Sequence, residues 1–494
     1  MKRLQRAFAL LLGLALCLAL LPAAADAADG PAYRVPGISG DEFPYFMRPE
    51  AQGEIAAASL NAADALANAG PQDIVASGDC GDQGNNVSWA LYGDGGLVIS
   101  GSGAMAGFSW AGSPWFAWQN VILSVTVEAG VTAIGLYAFQ GCEHVTAVSL
   151  PEGLTTIDNF AFYDCTALAG ITLPNSLTRI SHYAFYHCAS LQSIALPAAV
   201  TLGDYAFNSC SSLMSFSVSD SSPYYSAVDG VLFNKARTTL LCLPAGRSGV
   251  YAVPNGVTAI GSGALSGPGL TGVVLPDGLL SIGGWAFDYC VNLTSIRLPD
   301  SVTSIGSNAF RGCTGLTGVK LPAGLTQLRE YAFFGCGSLA VVSIPEGLTA
   351  IGGWAFHECT ALRSVLFGGT AAQRSAREGA GWSTTQNAAL FGAVWHYELA
   401  QPDYDGVLPA DLTVIGEEAL SGCSFTAVRI PDGAESIGAR AFAGSPGLAF
   451  VYIPESVTSI AADAFGQAAP TILGRAGSAA DAFAHAHRFA FIAE

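Results

Sequence analysis

The chain has 494 residues, 51% of them hydrophobic and only 12% charged, against about 25% charged in an average soluble protein. Past residue 30 no uninterrupted apolar run approaches the ~18 residues of a spanning helix, and so much Leu, Ile, Val and Phe excludes a disordered chain. Acidic residues outnumber basic ones 38 to 20 for a net charge of −18, and the three lysines, Lys2, Lys235 and Lys320, do not cluster, so no nucleic-acid or anionic-lipid partner is expected.

In chain order, Lys2, Arg3 and Arg6, then an apolar stretch from Ala7 to Leu21, then small residues from Pro22 to Ala28 predict a signal peptide over 1–27. Cleavage after Ala25 or Ala27 leaves an exported chain, secreted or associated with a cell surface, with no transmembrane segment in its mature form. Residues 28–76, Ala-rich from Ala51 to Ala69, read as a partly helical linker. Beyond them an Ala-Phe or Ala-Leu dipeptide recurs. It ends at Phe139, Phe162, Phe185 and Phe207, then at Leu265, Phe287, Phe310, Phe333 and Phe356, then at Leu420, Phe442 and Phe465, in steps of 22 or 23. The consensus L-P-x-G-(L/V)-T-x-I-G-x-x-A-F-x-x-C-x-x-L-T-x-V runs through 299–321, with Ser301 at its first Gly position. Twelve copies at one period predict a repeat solenoid.

The period has a physical reading. Thr-x-Ile and Leu-Thr-x-Val alternate with period 2 and predict two brief strands per coil, with Pro and Gly at the corner. A glycine after the Ile (Gly135, Gly203, Gly306, Gly352, Gly438) suits a turn with positive φ, and A-F-x-x-C is expected to make one helical or 3₁₀ turn. A single coil buries too little to offset the backbone entropy of its 23 residues, so coils must stack, share strand hydrogen bonds and be capped.

These residues resemble the BspA-type leucine-rich repeat family of bacterial surface and secreted proteins: the Pro, Ala-Phe and Cys positions match, and the Asn of commoner leucine-rich repeats is missing. The resemblance covers about 77–494 and implies a right-handed, β-rich α/β solenoid with an N-terminal β-hairpin cap and a C-terminal helical cap. Ser77 to Gly101 is similar to the family's capping hairpin, assigning 77–130 to the cap and 131–470 to the solenoid. Two inserts interrupt it, about 213–260 and 365–410; the first, around Asp229-Gly230-Val231-Leu232-Phe233, is similar to an inserted β-hairpin. Residues 471–494 form the C-terminal helical cap in this reading, in which Gly474 to Phe491 looks like the family's terminal helix. The resemblance further implies adhesion to a host or neighbouring-cell protein or glycan.

Twelve cysteines in an exported chain invite a disulfide reading, but their phase opposes it. Cys142, Cys165, Cys188, Cys210, Cys290, Cys313, Cys336, Cys359 and Cys423 each lie three residues after the repeat Phe or Leu. Equivalent positions in stacked coils point in parallel, whereas a disulfide needs converging Cβ vectors. A ladder of small buried thiols is expected. The neighbours Cys142-Glu143-His144, His187-Cys188 and His357-Glu358-Cys359 lack the electropositive, accessible setting of a catalytic cysteine, and His485-Ala486-His487 has the wrong helical spacing for a metal. No phosphate loop, zinc spacing or nucleophile elbow occurs. No catalytic residue, metal or cofactor is expected, and the chain is read as non-enzymatic.

Two variable ladders remain. The residue before Ala-Phe is aromatic at Tyr137, Phe160, Tyr183, Tyr205, Trp285, Tyr331 and Trp354, which reads either as a stacking platform for sugars or peptide or as a structural ladder over the turn edge. An outward strand position runs Ser149, Thr172, Ala195, Ser217, Val274, Arg297, Lys320, Ser343, Leu366, Arg429 and Tyr452. Within it Arg297 and Lys320, with Arg363 near, form a basic spot for an acidic partner or simply a solvated strand face. The reading is a recognition or adhesion protein, with a cell-envelope or matrix spacer as the alternative and an enzyme using the inserts as the least favoured.

Overall fold

The computed structural model describes residues 62–397, 406–423 and 425–494. The predicted signal peptide, most of the predicted linker and 398–405 of the second insert lie outside the described residues. Residues 62–68 of the linker are helical. Three antiparallel strands follow, Ile74–Gly81, Gly84–Tyr92 and Gly96–Gly101. Their alternation turns Trp89, Leu91, Leu97 and Ile99 inward, and all four are buried. Gly96–Gly101 then pairs in parallel with Ser124–Val127, so this sheet occupies the edge that the first coil would otherwise leave open.

Each coil supplies short strands that stack in parallel on their counterparts one period away. Ile134, Ile157 and Ile180 are register partners along one row and are fully buried. In the other row Ser193–Leu196 pairs with Ser215–Val218, with Ile194 and Phe216 inward and Ala195 and Ser217 outward. The repeat Phe residues stack ring on ring through the core: Phe139, Phe162 and Phe185 at 5.2 and 5.1 Å, Phe287, Phe310 and Phe333 at 4.8 and 5.0 Å.

The A-F-x-x-C corner is not the one continuous helical or 3₁₀ turn expected from the sequence but a run of alternating turns. In the first copy the amides of Ala138, Gln140 and Cys142 close turns on the carbonyls of Gly135, Tyr137 and Phe139. The amides between them, of Tyr137, Phe139 and Gly141, instead donate to Asn159, Ala161 and Tyr163 of the next coil, at 3.1, 2.7 and 2.8 Å. Tyr137 and Gly141 make this possible with φ of +55° and +72°. A helical turn would direct every donor along its own axis and leave the neighbouring carbonyls unpaired. The glycine after Ile also has a different reason from the one expected. Gly135 and Gly203 are not at positive φ; a Cβ at Gly135 would overlap the Ala106 carbonyl oxygen, and one at Gly203 the His182 amide. Close approach of the neighbouring backbone, not turn handedness, selects glycine there.

The first insert is a hairpin, Tyr225–Val228 against Val231–Asn234, turned by Asp229 and Gly230 at φ of +48° and +76°. Its third strand, Thr239–Cys242, joins the solenoid row in parallel with Ala259–Ile260. The second insert carries a helix, Ala371–Arg377, whose Thr370 and Gln373 form a reciprocal capping box. Its strand Val394–Tyr397 then pairs in parallel with Ser364–Phe367. At the C-terminus Ser478 caps the helix Ala479–Ala486, which buries Ala480, Phe483 and Ala484, and Phe491–Ala493 pairs with Thr471–Gly474.

The outward strand face is not solvated throughout. Ala427, Phe450, Leu473 and Ile492 of the C-terminal sheet pack against Val341 and Leu366 of the central coils, all buried. Phe491 N donates to Thr317 Oγ1 at 3.3 Å, and Ser295 Oγ to Asp481 Oδ2 at 3.0 Å. The C-terminal coils thus turn their strand face onto that of the central coils.

Candidate recognition surface

The aromatic ladder occupies one of the two left-handed positions of each corner. Tyr137, Phe160, Tyr183, Tyr205, Trp285, Tyr331 and Trp354 all have φ between +53° and +59°. An L-residue there costs about 1–2 kcal/mol, and ring stacking, worth about 0.5–1.5 kcal/mol per pair, offsets it. Tyr137, Phe160, Tyr183 and Tyr205 form one stack with successive centroids 4.8, 5.0 and 4.9 Å apart. Trp110 packs edge-on against Tyr137 and Tyr163, and Tyr137 and Phe160 are buried. Tyr205 and Trp285 meet edge to face at 5.7 Å across Gly263, where the ladder residue is glycine and a Cβ would lie 2.8 Å from the Tyr205 ring. Buried Asn308 interrupts the file before Tyr331 and Trp354, stacked at 5.3 Å.

This geometry constrains what the ladder can bind. In a face-to-face stack each ring covers its neighbour, so a ligand reaches edges and hydroxyls. Tyr183, Tyr205, Trp285, Tyr331 and Trp354 are half-buried and present such edges, whereas Tyr137 does not. Carboxylates flank them. Asp164 Oδ1 lies 2.6 Å from His187 Nδ1, and Asp288 takes two bonds from Arg311 at 2.7 and 2.8 Å. The Arg311 guanidinium also sits 5.0 Å above the exposed Tyr289 ring. Burial first, and the Asp164 carboxylate second, push the Tyr163 phenol up from its ordinary range; for Tyr183 and Tyr205 burial also leads. These hydroxyls stay protonated and able to donate.

Arg297 and Lys320 do not form one open basic patch. Arg297 Nη1 pairs with Asp277 Oδ1 at 2.8 Å on the exposed surface. Lys320 belongs to the strand Gly318–Lys320, which lies against the C-terminal strand Phe491–Ala493. There burial raises the Glu494 carboxyl, and the charges of Lys320 and Arg429 partly counter the rise. Arg429 stacks 4.0 Å over Tyr452. The sequence ladder assigned these residues one phase but carried no sign of the sheet that covers part of it.

The repeat cysteines are free thiols, buried except for Cys423, which is partly so. Cys165, Cys188, Cys313 and Cys336 donate to the carbonyls of Phe139, Phe162, Phe287 and Phe310 at 3.1–3.2 Å. Cys210, Cys290 and Cys359 do the same on Phe185, Leu265 and Phe333, whereas Cys423 donates to Ser445 Oγ at 3.2 Å. Burial pushes Cys142 and Cys359 up to about 12, which disfavours a thiolate at neutral pH. His144, His187 and His357 are exposed. Among the described residues no three His, Cys, Asp or Glu side chains gather as metal ligands, and no helix is long and apolar enough to cross a membrane.

The family described as BspA type leucine-rich repeat region matches in six copies, over 112–227, 251–371 and 405–471. Among solved structures, a leucine-rich repeat protein from Eubacterium ventriosum is 24% identical, with 75% of this chain and 95% of that one covered at a TM-score of 0.52. A leucine-rich cell surface protein from Faecalibacterium prausnitzii is 27% identical over 59% of this chain and 96% of that one, at a TM-score of 0.47. One from Bacteroides ovatus is 21% identical over 83% and 96%, at 0.35. No curated protein matches the chain.

Proposed function

The chain belongs to the BspA-type leucine-rich repeat family, and from that membership we propose that it is an exported, non-catalytic recognition protein. Its signal peptide would be residues 1–27 and its linker 28–76, ahead of a cap at 77–130, coils over 131–470 and a closing cap at 471–494. The partner is a protein or glycan of a host or neighbouring cell, gripped weakly at many coils so that the contacts sum. The observation that carries this reading is the file of half-buried aromatic edges from Tyr183 to Trp354, with Asp204 and Asp288 near Tyr183 and Tyr205. Edges, hydroxyls and carboxylates offer hydrogen bonds and apolar contact together, which suits hydroxyl-rich or polar-rimmed ligands.

Arrays of glycans and matrix proteins test it. Saturable binding is expected, with the signal lost when Trp285, Tyr331 and Trp354 are changed to Ala and the fold retained. A spacer would bind nothing saturably and tolerate the three changes. Turnover of any substrate in a broad hydrolase panel would overturn the non-catalytic reading.

A further inference from the structure

The C-terminal coils have a hydrophobic core of their own. Ile415, Val428, Ile437, Phe442 and Val451 belong to it, and Phe483 of the terminal helix closes it. The central coils have another, containing Val319, Val342, Val365 and Phe367. A third, small cluster joins them, with Val341 and Leu366 on one side and Ala427, Phe450, Leu473 and Ile492 on the other. Every one of these joining side chains stands at an outward strand position, where the N-terminal coils carry Thr126, Ser149, Thr172 and Ser217, all exposed. The switch from hydroxyl to apolar residues on both apposed faces marks a contact written into the sequence of each.

We propose that the C-terminal coils are a separable clasp that masks the strand face of the central coils around Val341 and Leu366. The clasp opens as a unit, without unfolding either core. Each core is closed on itself, so parting the two faces exposes the joining cluster and the polar groups beside it but neither core. No disulfide ties the two parts among the described residues. Side-chain hydrogen bonds across the joint include Ser295 Oγ to Asp481 Oδ2 and Phe491 N to Thr317 Oγ1. Intrachain contacts of this small kind behave as transient interfaces, whereas one continuous core does not part. The closed form is the resting one because opening puts contiguous apolar surface into water. When closed, it withholds the central strand face from any ligand; when open, it offers a flat apolar strip. This inference rests on packing alone and stands or falls independently of the recognition reading.

The test uses the full chain with a single reporter thiol, Val341→Cys, labelled by a maleimide and read by peptide mass spectrometry; Ser149→Cys is the open reference. In the otherwise native chain Val341→Cys is expected to label at least roughly tenfold more slowly than the reference. Adding Ile492→Asp, or separately Phe450→Asp, is expected to bring the two rates together. Cys336 should remain unlabelled and 427–474 should stay protease-resistant in both variants. Equal rates in the native chain would show that the face is never masked. Protection that persists in both Asp variants would show that something other than the C-terminal coils covers it. Protection lost together with that of Cys336 and of 427–474 would show one cooperative body and no clasp.

Discussion

The N-terminal and central coils share a period and an inward core pattern yet treat their outward strand face in opposite ways. Thr126, Ser149, Thr172, Ala195 and Ser217 are exposed, and a face of small polar residues costs nothing to leave in water. Val341 and Leu366, at the same phase, are 0% and 3% exposed because another sheet lies on them. The inward pattern, identical in both regions, makes a coil. The outward pattern decides what the coil meets.

The largest expected effect tests what the regions share. Phe162→Ala and Phe333→Ala each remove a fully buried ring from a stack and should each cost about 3–5 kcal/mol, measured by urea unfolding. A markedly smaller loss in one region would mean that the two cores are not equivalent. The next effect separates them. Leu366→Asp sets a charge in the joined faces and is expected to part them, losing about 1.5–3 kcal/mol of apolar burial, whereas Ser149→Asp should stay within ~0.5 kcal/mol. Equal costs would mean that the two outward faces do not differ.

A smaller effect concerns the turn face that both regions possess. Ser209 has φ of +60° at the position where other coils carry Gly141, Gly312 and Gly335. Ser209→Gly is expected to raise stability by about 0.5–1 kcal/mol, and Gly335→Ala to lower it by about 1–2 kcal/mol, in thermal melts. The smallest effect is a pH dependence at the joined faces. Burial holds the folded-state Glu494 carboxyl above its unfolded value, so the folded chain keeps the proton longer. Stability therefore falls as pH climbs from the ordinary carboxylate value through the raised one. Urea midpoints measured across that window should drift down with pH, and Glu494→Gln should flatten the drift.

Much of the coil was legible because its signal is repetitive. Ile134, Ile157 and Ile180, the Phe stack and the parallel thiols follow from one period and one inward phase. The corner was misread because Tyr, Phe and Trp at positive φ are rare; recurrent Gly141, Gly312, Gly335 and Gly422 four residues beyond the ladder position were the available clue. The recognition surface was legible only as a list of residues. Nothing in the spacing of Tyr137 distinguishes it from Tyr331, yet Trp110 covers the first and leaves the second half-buried. Arg297 and Lys320 were adjacent in phase, but Asp277 and the C-terminal strand divide them.

By itself, the sequence determined the solenoid and its core, because both depend on contacts between equivalent positions one period apart. Tertiary structure alone decided which outward residues meet water. That outcome depends on a buried cluster that brings Leu366 together with Ile492, more than a hundred residues away, and no local pattern encodes which apolar face finds which.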